Sequence, residues 1–187
     1  MQIAHRSIGL QSAPFVIAEM SGNHNQSLER ALAIVDAAAR AGAHALKLQT
    51  YTADTMTLAI NSGEFFINDE RSLWKGKSLH DLYRVASTPW DWHGPIFRRA
   101  RELGMLCFST PFDETAVDFL EELEVPCYKI ASASLTDDNL LRHHRKYGRP
   151  IIMSTGMSTL EQIDHAVEVL GLNDLVILLQ EIGRAHV

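Results

Sequence analysis

Four apolar runs in this chain each end in a hydrogen-bond donor, and that repeat constrains the fold more than any other feature. The run from Cys127 to Ser132 carries Lys129 near its end and closes on a serine hydroxyl. An ammonium beside a β-rich apolar run costs energy to bury unless an anion or carboxylate meets it. The runs Leu46 to Thr50, Leu106 to Thr110 and Ile151 to Thr155 share the design, delivering Lys47 with Gln49, Thr110, and Ser154. Four strand-like runs with donors at their carboxyl ends predict one ring of donors built for phosphate or carboxylate.

The segments between these runs have helical spacing. Phe15 to Ala18 reads as a first strand, broken by the polar loop that holds Asn23, His24 and Asn25. Ser27 is then an N-cap for a helix using Leu28, Ala31, Leu32 and Val35, which ends at Gly42. The stretch from Tyr51 to about Ser87 is longer and less regular than most connections and reads as a functional insertion or lid. Thr88 as N-cap, Pro89 in the first turn and Asp91 in the third position start the next helix, which stops at Gly104. A helix through Ala116, Val117 and Leu120 follows the strand Met105 to Thr110. Asp137 and Asp138 open another helix, closed by Gly148 before the strand Pro150 to Thr155. Ser158 to Glu161 has the capping-box pattern for a helix ending at Gly171, and Leu175 to Leu179 is a sixth strand.

Strand and helix thus alternate throughout, and the strands are continuous apolar runs. This predicts an α/β fold with a parallel sheet covered on both faces. A (β/α)8 barrel and a doubly wound sheet both satisfy the pattern. Donors at four successive strand ends favour the barrel, because an open sheet gathers its ligand mainly at one switch point. Six strands do not close eight, so the expectation is an incomplete (β/α)8 barrel with about six of its βα units, over residues 1–180.

Composition narrows the function. The 187 residues are 46% hydrophobic, enough for one sizeable core, and the net charge of -6 argues against nucleic acid as a partner. No apolar run approaches a membrane span and no signal peptide is legible, which predicts a cytoplasmic protein without a membrane partner. Cys107 and Cys127 lie in predicted strands without zinc spacing and read as reduced core thiols.

Lys47 and Lys129 would offer point charges to a small anion, with Thr110, Ser132 and Ser154 donating hydroxyl hydrogen bonds between them. Glu19, at the end of strand one, is either an acid/base or hydroxyl-orienting carboxylate or an ion-pair partner of a nearby lysine. Asn23 sits in a loop on the same face and suits sugar hydroxyls. Of the nine histidines only His24 is expected at the mouth; His143 and His144 are expected at the surface, and no pair has metal spacing at strand ends.

Five segments now carry a resemblance: Ile17 to Asn25, Ala45 to Tyr51, Phe108 to Phe112, Tyr128 to Ser132 and Met153 to Met157. In order, they resemble the successive signatures of the sialic acid synthase family, which includes N-acetylneuraminate, legionaminate and pseudaminate synthases. The resemblance implies a (β/α)8 barrel followed by a small antifreeze-like C-terminal domain, which this chain lacks, in a domain-swapped homodimer. It also implies condensation of phosphoenolpyruvate with an open-chain N-acetylated amino sugar, with release of phosphate and need of a divalent metal, Mn2+ or Mg2+. The metal would polarise the sugar aldehyde while the enol carbon attacks it. Carried over by motif, Lys47, Thr110, Lys129, Ser132 and Ser154 would hold phosphoenolpyruvate, and Glu19 and Gln49 would line the same pocket.

Some positions depart from the family. Ser134 stands where many members carry a glutamate that grips the sugar, and the metal-binding histidines belong to later strands absent here. The chain alone is therefore expected to be inactive. The loop Met20 to Gln26 and the segment Thr88 to His93 lean towards the pseudaminate branch, whereas Ala131 to Asp137 resembles generic sialate synthases. Residues 181–187, Glu181 to Val187, resemble the in-frame translation of a sequencing-library adapter and are expected to be a non-native tail. The rival readings are another phosphoenolpyruvate-dependent aldol-type synthase, which needs further basic residues for a second phosphate, and a non-catalytic phosphate-binding module.

Overall fold

A computed structural model describes residues 1–171 and the backbone of a strand at residues 176–179. The expected tail, 181–187, lies outside the described residues. A short antiparallel hairpin, β1 (Gln2–Ile3) and β2 (Arg6–Ser7), comes first. It has no counterpart in the sequence reading, because two-residue strands carry no periodicity.

A six-stranded parallel sheet follows, with neighbours in chain order: β3 (Ile17–Glu19), β4 (Ala45–Thr50), β5 (Leu106–Pro111), β6 (Tyr128–Ile130), β7 (Ile151–Ser154) and β8 (Val176–Leu179). This strictly sequential order is the one in which a barrel wall is laid down, with no reversal to make a switch point. The strands alternate with α1 (Leu28–Arg40), α4 (Trp90–Glu102), α5 (Glu114–Glu122), α6 (Asp138–Arg145) and α7 (Leu160–Leu170). The stretch after β4 holds two further helices, α2 (Ala53–Met56) and α3 (Leu79–Ala86).

Continuous apolar strands are explained by two separate layers. Leu46, Leu48, Cys107 and Tyr128 pack with Ala31, Val35, Ile96, Ala100, Val117 and Leu120 of the helices. Ile130, Ile151 and Met153 do the same against α6 and α7. The intervening residues Ala45, Phe108 and Ile152 turn to the other face, where Ile3 of the hairpin packs with them. Period-two alternation therefore splits each strand between a helix-covered layer and an inner layer stoppered by the N-terminal hairpin.

Local chemistry sets the element ends, and in four places it departs from the sequence reading. The first strand begins at Ile17, two residues later than expected. The Val16 N–H donates to His44 Nδ1 at 2.9 Å, and the Val16 carbonyl accepts from the His44 N–H at 2.8 Å, so this residue is tied before the ladder begins. Thr88 does not cap α4: Pro89 is the N-cap residue, without a side-chain cap bond, and Thr88 instead reaches His24. The capping box of α7 is formed by Thr159 and Gln162, one residue beyond the expected pair. His143 and His144 are buried, not surface residues. The edge of His144 meets the Tyr128 ring and its Nδ1 donates to the Leu140 carbonyl, while His143 reaches Asp118 and Glu114. Ser27 caps α1 as read from the sequence, and Asp137, the first of the two aspartates read as opening a helix, caps α6; they accept from the Arg30 and Leu140 N–H groups.

Candidate functional site

The inner face of the sheet from β3 to β7 borders a cavity of about 310 Å3, within the range of small-molecule pockets. Phe15, Ile17, Glu19, Lys47, Phe108, Lys129 and Ile152 line it. Strand register accounts for the set. Glu19 pairs with Lys47 and Lys47 with Phe108, while Ser109 pairs with Tyr128, which sets Lys129 level with Thr110 and opposite Ile152, one inward position further along. The two lysines thus converge on one volume.

Lys129 is only 4% exposed. Its ammonium donates to the Ile130 carbonyl at 3.2 Å and to the Ser154 hydroxyl, which joins β6 to β7 at the cavity wall. Lys47 forms an ion pair with Glu19 at 3.0 Å, their side chains being 12% and 31% exposed. The ion-pair reading of Glu19 is therefore the one present in this structure. Among the described residues the cavity wall holds two lysines and one carboxylate, an excess of positive charge that suits an anion.

The remaining expected residues fall around this cavity. Gln49 and Thr110 are registered partners two positions beyond Lys47 and Phe108, so alternation puts them on the same face, nearer the mouth. Thr110 is buried and Gln49 half-buried. Ser132 opens the 3-10 turn Ser132–Ser134 directly after β6. Its hydroxyl lies 3.6 Å from where a Cβ on Gly156 would sit, so the loops after β6 and β7 touch there. Asn23 is exposed in the turn Gly22–His24 that follows β3.

His24 does not stand at the mouth. It is fully buried, with Nε2 3.1 Å from Thr88 Oγ1 and its ring edge-on to Trp92. Burial lowers its pKa. Gly22 permits this packing, because an added Cβ would meet Ala86 atoms at 3.2 Å. Gln26 completes the clasp, its Nε2 donating to the carbonyls of Val85 and Ser87 at 2.7 and 2.8 Å. The polar loop thus anchors α3 to the barrel.

Sequence reasoning missed the apolar lining, Phe15, Ile17, Phe108 and Ile152. Ile17, Phe108 and Ile152 stand two residues before Glu19, Thr110 and Ser154, so alternation puts them on the same face, but only the register between strands gathers them into one lining. Cys107 and Cys127 are free and buried, and burial pushes both thiols well above the ordinary range. Among the described residues no helix is long and apolar enough to cross a membrane. Nor does any group of three or more His, Cys, Asp or Glu side chains among them fit a metal ion. The divalent ion implied by the resemblance therefore finds no ligand set among the described residues.

Comparison with known proteins gives one consistent answer. Residues 34–182 match the NeuB family. The chain is 44% identical to the pseudaminic acid synthase of Campylobacter jejuni subsp. jejuni serotype O:2, over 83% of this chain and 45% of that protein. It is 32% identical to the N,N'-diacetyllegionaminic acid synthase of Legionella pneumophila, over 88% of this chain and 48% of the relative. Among solved structures, the N-acetylneuraminic acid synthetase of Leptospira borgpetersenii serovar Hardjo-bovis, in complex with citrate, superposes with a TM-score of 0.81. That likeness has 28% identity and covers 96% of this chain and 58% of that one. The chain spans about half the length of the curated relatives it matches.

Proposed function

The chain belongs to the NeuB family, and on that premise we propose that it is the phosphoenolpyruvate-binding part, residues 1–180, of a nonulosonic acid synthase. The reaction is condensation of phosphoenolpyruvate with an open-chain N-acetylated amino sugar, with release of phosphate. One observation carries the reading: Lys47 and Lys129 line one cavity on the inner face of the parallel sheet.

In this reading, phosphoenolpyruvate lies over β4 to β7. The Lys129 ammonium and Ser154 hydroxyl, already joined, form one anchor for its negative oxygens, and Lys47 forms the second. Thr110 and Ser132 add hydroxyl donors, and Gln49 an amide. Lys47 exchanges part of its pairing with Glu19 for the incoming anion. Glu19 is then the carboxylate that orients an acceptor hydroxyl, with Asn23 beside it in the next turn. Apolar walls of Phe108 and Ile152 keep water from the cavity floor, where fixed charges act most strongly. With two ammoniums in the lining, the cavity suits a single phosphorylated substrate better than a synthase that also binds a phosphorylated sugar.

The acceptor is of the pseudaminate type. Higher identity to the pseudaminic acid synthase than to the legionaminic acid synthase supports this. The complete protein has eight βα units and an antifreeze-like domain, works as a cytoplasmic homodimer, and draws its divalent cation from ligands outside this segment. Phosphate release by the full-length protein, assayed with phosphoenolpyruvate and either a diacetamido sugar or N-acetylmannosamine, tests the proposal. Release with the diacetamido sugar is expected. Release with neither sugar overturns the function, and release with N-acetylmannosamine alone overturns the choice of acceptor.

A further inference from the structure

On the helix side of the sheet, behind the cavity, Thr50, Ser109 and His93 are fully buried. Thr50 Oγ1 lies 2.9 Å from His93 Nε2 and 2.7 Å from Ser109 Oγ, and His93 Nδ1 lies 3.2 Å from the Pro89 carbonyl oxygen. These contacts fix the direction of every proton. A carbonyl only accepts, so Nδ1 carries the imidazole hydrogen and Nε2 accepts from Thr50. The Thr50 hydroxyl has then used its one proton, so Ser109 donates to it. The chain runs Ser109 to Thr50 to His93 to Pro89. Burial lowers the His93 pKa to about 4, which keeps the ring in the neutral form this arrangement requires. Phe97 stacks on the ring and Phe119 meets it edge-on, which holds its plane.

This relay joins the N-terminus of α4, the last residue of β4, and the residue of β5 just before Thr110. Thr50 follows Gln49, Ser109 precedes Thr110, and Gln49 and Thr110 are registered partners on the opposite face. A neutral buried network adds little net stability over an apolar filling of the same shape, but it does specify one arrangement. We propose that His93 is a positioning residue: through Thr50 and Ser109 it sets how β4 and β5 present Gln49 and Thr110 to the bound phosphoenolpyruvate. The inference rests on the functional reading above.

The test is steady-state kinetics of the full-length protein, well below its melting temperature, with His93→Phe, His93→Gln and Ser109→Ala. His93→Phe is expected to lower kcat/KM for phosphoenolpyruvate by about 10- to 100-fold, the scale of a small misplacement of binding groups. His93→Gln keeps an acceptor for Thr50 and is expected to recover most of that loss. Ser109→Ala should fall between them. A folded His93→Phe enzyme with wild-type kcat and KM overturns the inference, as does a glutamine variant no better than phenylalanine. If His93→Phe does not fold, Ser109→Ala decides, and unchanged kcat/KM there is fatal. A wild type that releases no phosphate from phosphoenolpyruvate overturns the functional reading and this inference with it. An active wild type with unaffected variants overturns this inference alone.

Discussion

Lys129 is the residue whose energetics least resemble those of a structural side chain. It is almost wholly buried, and its ammonium meets a hydroxyl and a carbonyl. Removing one partner of a buried charged contact is itself destabilising, so stability and binding are read separately. Lys129→Met should lower the urea midpoint and weaken phosphoenolpyruvate binding in calorimetry by about 10- to 100-fold, the scale of one charged hydrogen bond. A folded variant that binds phosphoenolpyruvate as tightly as the wild type would make the lysine structural. Two histidines give a second prediction. Burial holds both His93 and His144 at about 4, against 6.5 when exposed. Below pH 6.5 the unfolded chain takes up protons that the native rings refuse. Their contribution is thus complete above pH 6.5 and is lost as pH falls towards about 4. Each ring accounts for up to about 3 kcal/mol. Urea titrations of wild type and His144→Gln at pH 7 and pH 4.5 check this: the wild type should lose more stability between the two than the variant. Neither histidine's burial was legible in the sequence, because a helical position reports a face and not what covers it.

Elements were easier to read than their ends. Every strand from β3 to β8 and the helices α1, α4, α5, α6 and α7 were visible as apolar runs, helical spacing or end signals, whereas α2 and α3 fell inside the stretch read as an irregular insertion. Ser27 was read as a cap and Asp137 with Asp138 as the start of a helix, and Ser27 and Asp137 do cap α1 and α6. Thr88 was misread as a cap. Its hydroxyl has a tertiary partner in His24, 64 residues away, and that outcompetes the local cap. At the far end of α7, Gly171 takes φ +59° as the left-handed C-cap, and a Cβ there would lie 2.9 Å from the Arg145 guanidinium carbon. The arginine can swing aside, so Gly171→Ala should cost about 1–2 kcal/mol from backbone strain alone. Chemical denaturation measures it. A variant as stable as wild type would mean that α7 ends differently.

At the scale of the whole molecule, the chain spans about half the length of its curated relatives, and its described residues hold no metal cluster. Treating the full-length protein with EDTA should abolish phosphate release, and Mn2+ should restore it. Because the proposed ligands lie outside this segment, phosphoenolpyruvate affinity should change little on chelation. A large loss of affinity would place the ion among the residues described here. What the sequence determined by itself is what periodicity and strand ends encode: a parallel α/β sheet, its order of elements, and a donor at the carboxyl end of four strands. Those are local properties, written within a few residues. The pairing of Lys47 with Glu19, the joining of Lys129 to Ser154, the apolar lining and the His93 relay were decided only by tertiary structure. Each depends on the register between strands, or on a helix packing across a strand, and no single segment of sequence contains both partners.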